Sequence, residues 1–263
     1  MQISISRLKT FKACRRAYFL KYIENLEPIQ KAEALETGLA YHGFVEAINR
    51  NEGLVGDDYS KEAAMARAYL KYISPKVAVR SVETWVSCDL GQGDVLIGRV
   101  DGLTEDGCII EHKTTSSEIT EEYEYNLQWD EQILAYMLCT GMRKIYYTVC
   151  RKPTIKQKKG ETDEEFYNRM VEWYDEDTES KIRLLKIERT DEEVTKFRME
   201  LIGTMEELHN SKSMYRNCLH CFKWGRKCEY APICLTYNPE QEYTEFIRVE
   251  RGTYGIPEDK QSE

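Results

Sequence analysis

What the chain has little of narrows it first. No apolar run approaches the roughly 18 residues that a membrane-spanning helix needs, and the opening MQISISRLKTF lacks the basic-then-apolar layout of a secretory leader. Positive charge is in deficit. Against 46 Asp and Glu there are 37 Lys and Arg, leaving a net charge of −9, so the surface as a whole lacks the basic footprint usual for nucleic-acid binding. Glycine patterns that cradle phosphates are missing too. GCIIEHKT has the length of a phosphate-binding loop, but His112 stands where its second glycine must be, and GQGDVL has Leu96 at the last glycine of the dinucleotide pattern. No ATP or dinucleotide site is therefore expected.

Cysteine, by contrast, is plentiful. Nine thiols, an odd number, without an export signal argue against a disulfide framework and for a reducing, cytoplasmic setting with metal-bound and buried thiols. The 263 residues, 41% of them hydrophobic, suffice for one substantial core, read as a single elaborated domain.

Leu8, Phe11, Cys14, Tyr18 and Tyr22 recur at helical spacing and predict a helix over 6–23 that turns Cys14 inward. Helices are also expected over 36–50, 60–74 and 126–140, and strands over 80–90, 94–115 and 144–150. Asp106-Gly107 supplies hairpin turn chemistry between GRVD and CIIEHK. Thr162 with Glu165 and Thr190 with Glu193 read as capping boxes opening amphipathic helices. Cys88, Cys108, Cys139 and Cys150 lie on apolar elements and read as buried thiols.

Chemistry concentrates in LIGRVDGLTEDGCIIEHKTT. On a strand Glu111 and Lys113 share a face, and the hairpin brings Asp101 roughly opposite Glu111, within a residue of register. Two hard carboxylates suit Mg²⁺ or Mn²⁺, and an ammonium beside them can orient a water or stabilise developing charge. An exposed, salt-bridged hairpin is the plain alternative. His42 in GLAYHGF, one of only four histidines, could complete a metal site, and Gln128, Gln132 and Tyr136 form a polar stripe that either faces solvent or lines a cleft.

Two charge features stand apart. Arg151, Lys152, Lys156, Lys158 and Lys159 make a basic stretch followed by an acid-rich one over 161–179. It is either a solvated loop or a phosphate-contacting one. The run CLHCFKWGRKCEYAPIC offers Cys218, Cys221, Cys228 and Cys234, with Cys14 far upstream, five candidates for four ligand positions. They fit a [4Fe–4S] cluster that includes Cys14, or a compact zinc site from the late four, and spacing alone separates the two poorly.

The order His42, Asp101 in GRVD, Glu111 and Lys113 in EHK, then Gln132 and Tyr136 in QILAY resembles the RecB-like exonuclease branch of the PD-(D/E)XK nuclease superfamily. So does the opening SISRLKTFKACRRAYFLKY, and the match spans most of residues 4–150. The resemblance implies that His42, Asp101 and Glu111 hold a divalent metal, that Lys113 serves the attacking water, and that Gln132 and Tyr136 shape the site. A proline before the Asp is replaced by Val100, a departure common in that branch. Its iron–sulfur members, such as the AddB nuclease domain and CRISPR-associated RecB-like exonucleases, place one Cys on the first helix and three near the C-terminus. By that resemblance the cluster ligands are Cys14, Cys221, Cys228 and Cys234, with CFKWGRKCEYAPIC similar to phage members. The six-residue gap before Cys228, where many members have two, leaves Cys218 as a rival to Cys221.

The expectation is an α/β protein with a mixed central sheet flanked by helices, a restriction-endonuclease-like core, and N- and C-terminal segments joined by a metal cluster. One nuclease domain would cover 1–238, with its core at 36–150, a helical part at 160–210 and the cysteine region at 211–238. Lys212, Arg216, Lys223, Arg226 and Lys227 would surround the cluster, and 239–263 would be a polar, peripheral tail. The expected activity is metal-dependent hydrolysis of DNA, as an exonuclease on single strands or ends, in recombination, repair or replication. It would work alone or with a helicase or similar partner. A catalytically idle DNA-binding module and a zinc-stabilised structure-specific endonuclease are the alternatives.

Overall fold

A computed structural model of the chain describes residues 1–30, 33–53, 58–222 and 227–250. The strands are β1 (Gln2–Ser4), β2 (Leu26–Pro28), β3 (Val79–Gly91), β4 (Asp94–Thr104), β5 (Ile109–Thr115), β6 (Lys144–Arg151), β7 (Ile182–Glu188) and β8 (Phe246–Arg248). The α-helices are α1 (Ile5–Ala13), α2 (Arg15–Tyr18), α3 (Glu33–Asn49), α4 (Lys61–Tyr72), α5 (Glu121–Leu127), α6 (Glu131–Thr140), α7 (Asp163–Glu176), α8 (Thr178–Lys181) and α9 (Asp191–Asn210). Strand pairing follows the order β1-β4-β5-β6-β7, with β3 also on β4. The β1–β4 and β5–β6 pairs are parallel, while β4–β5 and β6–β7 are antiparallel. This is the mixed sheet with flanking helices that the sequence led us to expect. Among the described residues no helix is long and apolar enough to cross a membrane.

The chain divides into two compact units: Met1–Lys31 with Ser87–Gly98 and Thr195–Glu263, and Ala32–Val86 with Arg99–Val194. In the latter unit β6, parallel to β5 and antiparallel to β7, is apolar on both faces, as a central strand covered on both sides must be. Tyr147 and Val149 join Val100, Ile109, Ile133, Tyr136 and Met137 in one cluster, and Cys150 joins Tyr41, Val45, Met65, Tyr69 and Tyr174 in another. Burying each large side chain contributes roughly 1.5–3 kcal/mol, so these clusters fix where β5 and α6 stand.

Local capping sets the helix ends. Ser60 opens α4 by accepting from the Ala63 N–H at 3.1 Å, and both Thr162–Glu165 and Thr190–Glu193 form the reciprocal bonds of a capping box. The expected helix over 126–140 is two. Asp130 adopts extended backbone and accepts from the Gln132 N–H at 3.1 Å, which makes it a cap. The earlier turn closes as α5, with Gln128 at its end, so Gln128 is not in line with Gln132 and Tyr136. Gly141, at φ +73, ends α6 in the left-handed region. Strand β7, with its IRLLKIE alternation, was not anticipated.

In the other unit, the single helix expected over 6–23 breaks at Cys14, which is extended (φ −162, ψ 110), and the chain continues as α2 and a π-turn, Phe19–Ile23. Contacts with the late segment replace helical bonds there. The Asn217 N–H donates to Cys14 Sγ at 3.3 Å and the Asn217 side chain donates to the Ala13 carbonyl at 2.9 Å. The tail corrects a further expectation. Phe246 is buried with Tyr230 and Leu26, and β8 pairs antiparallel with β2, so residues 246–248 are structural. The rest of the tail, 251–263, lies outside the described residues, as do Lys223 and Arg226.

Candidate active site

Strands β4 and β5 are laddered at Leu103↔Ile109 and Gly102↔Ile110, and the same register sets Asp101 opposite Glu111. The ladder ends there. Where the next rung would begin, Asp101 Oδ2 accepts the His112 N–H at 2.7 Å, so the carboxylate satisfies a backbone donor that strand separation would orphan. Close packing permits this bend, since a Cβ on Gly102 would lie 2.7 Å from the Ser81 carbonyl of β3.

The site contains His42 on α3, Asp101 on β4, Glu111 and Lys113 on β5, and Gln132 and Tyr136 on α6. His42 Nδ1 lies 3.4 Å from Asp101 Oδ1. Lys113 Nζ donates to Glu111 Oε1 and, at 3.1 Å, to Gln132 Oε1. Gln132 Nε2 donates to the Tyr136 hydroxyl at 2.6 Å, which in turn donates to the Arg99 carbonyl at 3.0 Å. This relay uses donor and acceptor alike on Gln132 and holds Lys113 against Glu111. Tyr136 is 6% exposed, so its hydroxyl serves the relay. All six residues singled out from the sequence are thus linked by two sets of contacts: Asp101 with His42, and the Glu111-to-Tyr136 relay.

Electrostatics separate the two carboxylates. Glu111 is 2% exposed; burial pushes its carboxyl up and the Asp101 charge adds to that, against the pull of Lys113. Burial also raises Asp101, but the His42 hydrogen bond, the His42 charge and the His112 backbone N–H together outweigh it and hold Asp101 below the usual carboxylate range. Burial would lower Lys113, yet the Glu111 charge and bond raise it, so the ammonium is kept. His42 is likewise raised by Asp101 against its burial.

Several contributors escaped the sequence reading. His112, buried and lowered by burial to about 4, is neutral. Its Nδ1 lies 2.7 Å from Thr148 Oγ1 and its Nε2 3.5 Å from Asn49, whose Oδ1 accepts from the Tyr69 hydroxyl at 2.9 Å. That chain braces the strand between Glu111 and Lys113. Glu83 on β3, at φ +49, pairs with Arg99 at 2.6 Å, and burial raises its carboxyl against the pull of Arg99. Neither a polar residue on a central strand nor a glutamate at positive φ carries a periodic signal.

Glu111 Oε2 is buried without a hydrogen-bond partner, although a carboxylate oxygen in a protein interior ordinarily has one. An acceptor of this kind beside Asp101 and His42 suits a hard divalent cation. Among the described residues no three His, Cys, Asp or Glu side chains are already gathered as a metal-holding group; Lys113 stands against Glu111 and His42 against Asp101.

In the other unit, Cys14 is buried, Cys218 is exposed, and Cys221, Cys228 and Cys234 are half-buried. The Cys221 thiol is raised by burial and then by Cys218, Cys234 and Cys14; the Cys228 thiol, raised mainly by burial, also feels Cys14 and Cys221. These thiols are therefore close enough to influence one another, without forming a ready-made metal-holding group among the described residues. The Cys228 N–H donates to the Cys221 carbonyl at 2.8 Å, and Cys221 Sγ to the Asn217 carbonyl at 3.7 Å. Of the four thiols expected to be simply buried, Cys108 and Cys150 are, whereas Cys88 and Cys139 are half-buried near strand and helix edges.

A mixed sheet presenting two carboxylates and a lysine from a splayed hairpin defines a class, and the comparison bears it out. The chain belongs to the PD-(D/E)XK nuclease superfamily, whose family model matches residues 2–235. Among solved structures, a candidate exonuclease from Eubacterium rectale has a TM-score of 0.52 at 12% identity, covering 89% of this chain and 92% of its own, which supports the fold. SSO0001 gives a TM-score of 0.48 at 13% identity over 92% of this chain and 88% of its own. The alkaline exonuclease LHK-Exo from Laribacter hongkongensis gives 0.38 at 14% over 79% and 88%. No curated protein matches.

Proposed function

We propose that the chain is a divalent-metal-dependent deoxyribonuclease of the RecB-like branch, acting as an exonuclease on single-stranded DNA or DNA ends. The observation that carries this is the buried, unpartnered Glu111 Oε2, with Lys113 on the carboxylate's other oxygen. Asp101, Glu111 and His42 would hold Mg²⁺ or Mn²⁺. Such an ion activates a water and offsets charge on the phosphoryl oxygens when bound. Lys113 is held protonated by Glu111, so it acts as a donor that orients the water or stabilises charge on the phosphorane-like transition state. Gln132 and Tyr136 fix where that ammonium points.

The exonuclease assignment follows the resemblance in His42, Asp101, Glu111, Lys113, Gln132 and Tyr136. The name of the Eubacterium rectale neighbour agrees with it. By the same resemblance Cys14, Cys221, Cys228 and Cys234 hold a [4Fe–4S] cluster within one nuclease domain. Cys221, half-buried where Cys218 is exposed, is favoured as the ligand. The reading places the protein in the cytoplasm of a prokaryotic or phage-infected cell, alone or beside a helicase in recombination, repair or replication.

The test compares end-labelled linear and covalently circular single-stranded DNA, digested by anaerobically purified protein with Mg²⁺ or Mn²⁺. Degradation of the linear strand alone, lost in Asp101→Asn, is expected. Cleavage of the circle would replace exonuclease by endonuclease, and no cleavage of either would overturn the proposal.

A further inference from the structure

The stretch RKPTIKQKKG (151–160) links β6 to α7, and its lysines are presented in an unusual way for a charged loop. Lys156, Lys158 and Lys159 are exposed, and none is in an ion pair among the described residues. The acids close in sequence are bonded to other donors, and only the Lys158 charge is felt by one of them, Glu161. Glu161 takes Arg169 through both oxygens, at 2.7 and 2.8 Å. Asp163 accepts from Gln157 at 2.9 Å, and Glu165 closes the capping box with Thr162.

The same bonds fix the backbone of the turn. The Lys158 N–H donates to Glu161 Oε2 at 2.7 Å, Arg169 Nη2 donates to the Lys156 carbonyl at 2.8 Å, and Gln157 Nε2 donates to the Glu161 carbonyl at 3.0 Å. Arg169 is itself seated over the Phe166 ring, 5.3 Å from its centroid. The result is a held loop with three ammonium groups left in water.

Its location follows from register. Strands β5 and β6 run parallel with Lys113↔Val149 and Thr115↔Arg151, and the Lys152 N–H donates to the Thr115 carbonyl at 2.8 Å. The loop therefore leaves the sheet two residues beyond Lys113, ~7 Å along the strand. It does so at the carboxyl ends of adjacent parallel strands, where open α/β sheets bind ligands. On a body with a net charge of −9, a polyanion is repelled overall and must be received by a local cationic patch.

We propose that Lys156, Lys158 and Lys159 form a phosphate-backbone-binding site for the single nucleic-acid strand entering the candidate active site, preorganised by the Glu161–Arg169 pair. The proposal rests on the nuclease reading above. Binding there is sequence-independent, since ammonium groups contact phosphates and not base edges.

The test is fluorescence anisotropy of a labelled single-stranded oligodeoxynucleotide, with Ca²⁺ replacing Mg²⁺, across a salt series. The combined Lys156→Gln, Lys158→Gln and Lys159→Gln variant should bind roughly tenfold more weakly and lose about 2 from the magnitude of the log–log salt slope, at ~0.7 per phosphate contact on a single strand. Its thermal midpoint should stay at the wild-type value, because the three side chains are exposed. Glu161→Gln supplies the second arm. It removes a negative charge yet should weaken binding, because Arg169 and the turn are released. Wild-type affinity and slope in the triple variant, or tighter binding by Glu161→Gln, would overturn the proposal whether or not the protein cleaves DNA. Weakened binding in both variants, with no cleavage by wild type, would uphold it and overturn the nuclease reading alone.

Discussion

The carboxylate site and the cysteine region are built in opposite ways. Around Glu111 and Lys113 each polar group is bonded in a fixed sequence, from Glu111 through Lys113, Gln132 and Tyr136 to the Arg99 carbonyl, and one oxygen, Glu111 Oε2, is left over. Around Cys14 the protein supplies backbone ties and aromatic packing, while the candidate thiols stand at graded exposure. One region is held in place by its own hydrogen bonds, as a catalytic arrangement would require. The other joins two distant stretches of chain, and its candidate ligands have only to be near. Removing a side chain should therefore destroy chemistry in the first region and stability in the second.

The largest effect tests the first half of that contrast. Asp101→Asn and Glu111→Gln should each lower DNA cleavage by at least roughly 10³-fold, the scale of losing a preorganised electrostatic group, while circular dichroism shows an unchanged fold. If either variant instead unfolds, the site is structural. For the cysteine region the order reverses. Cys14→Ser should lose the visible absorbance of an iron–sulfur cluster and much of the thermal stability, since metal binding and folding are coupled. Exposed Cys218→Ser should change stability by less than about 0.5 kcal/mol. A colourless wild-type protein containing stoichiometric zinc would assign the region to zinc.

Gly102→Ala sharpens the comparison from the backbone. Its Cβ would meet the Ser81 carbonyl at 2.7 Å and Ile110 Cγ2 at 3.0 Å, so β4 must shift beside Asp101. A loss of about 1–3 kcal/mol, read by denaturant unfolding, should accompany reduced cleavage. A variant with wild-type stability would show that the strand crossing is slack.

The smallest effect is a pH dependence. The Glu111 carboxyl is raised in the metal-free fold by burial and by Asp101, so its stabilising protonated form is fully present below its unfolded value and is lost as pH rises through the folded one. Metal-free protein should lose a little stability across that window, and Glu111→Gln should flatten the loss. Added Mg²⁺, which needs the ionised carboxylate, should raise the melting temperature more at higher pH. A Mg²⁺ effect independent of pH would place the ion elsewhere.

The sequence made some of this legible because certain residues carry their own geometry. Asp106-Gly107 sets the turn, and with it the register that brings Asp101 opposite Glu111. The spacing of Phe197, Leu201, Met205 and Leu208 marks the buried face of α9. What stayed hidden depends on distant partners. The helix stops at Cys14 because Asn217 bonds there, and Asp130 divides the 126–140 helix by capping its second half. His112 lay in plain view between Glu111 and Lys113, but its bracing by Thr148, Asn49 and Tyr69 exists only once three elements pack. Glu83 needs a left-handed backbone that its residue type does not announce.

One measurement addresses the central claim most directly: time-resolved digestion of end-labelled single-stranded DNA with Mg²⁺ or Mn²⁺ by anaerobically purified protein beside its Lys113→Ala variant. Metal-dependent cleavage by the wild type, lost in a variant that still folds, is the predicted result. Equal cleavage by both proteins would contradict the assignment of Lys113 and the relay behind it.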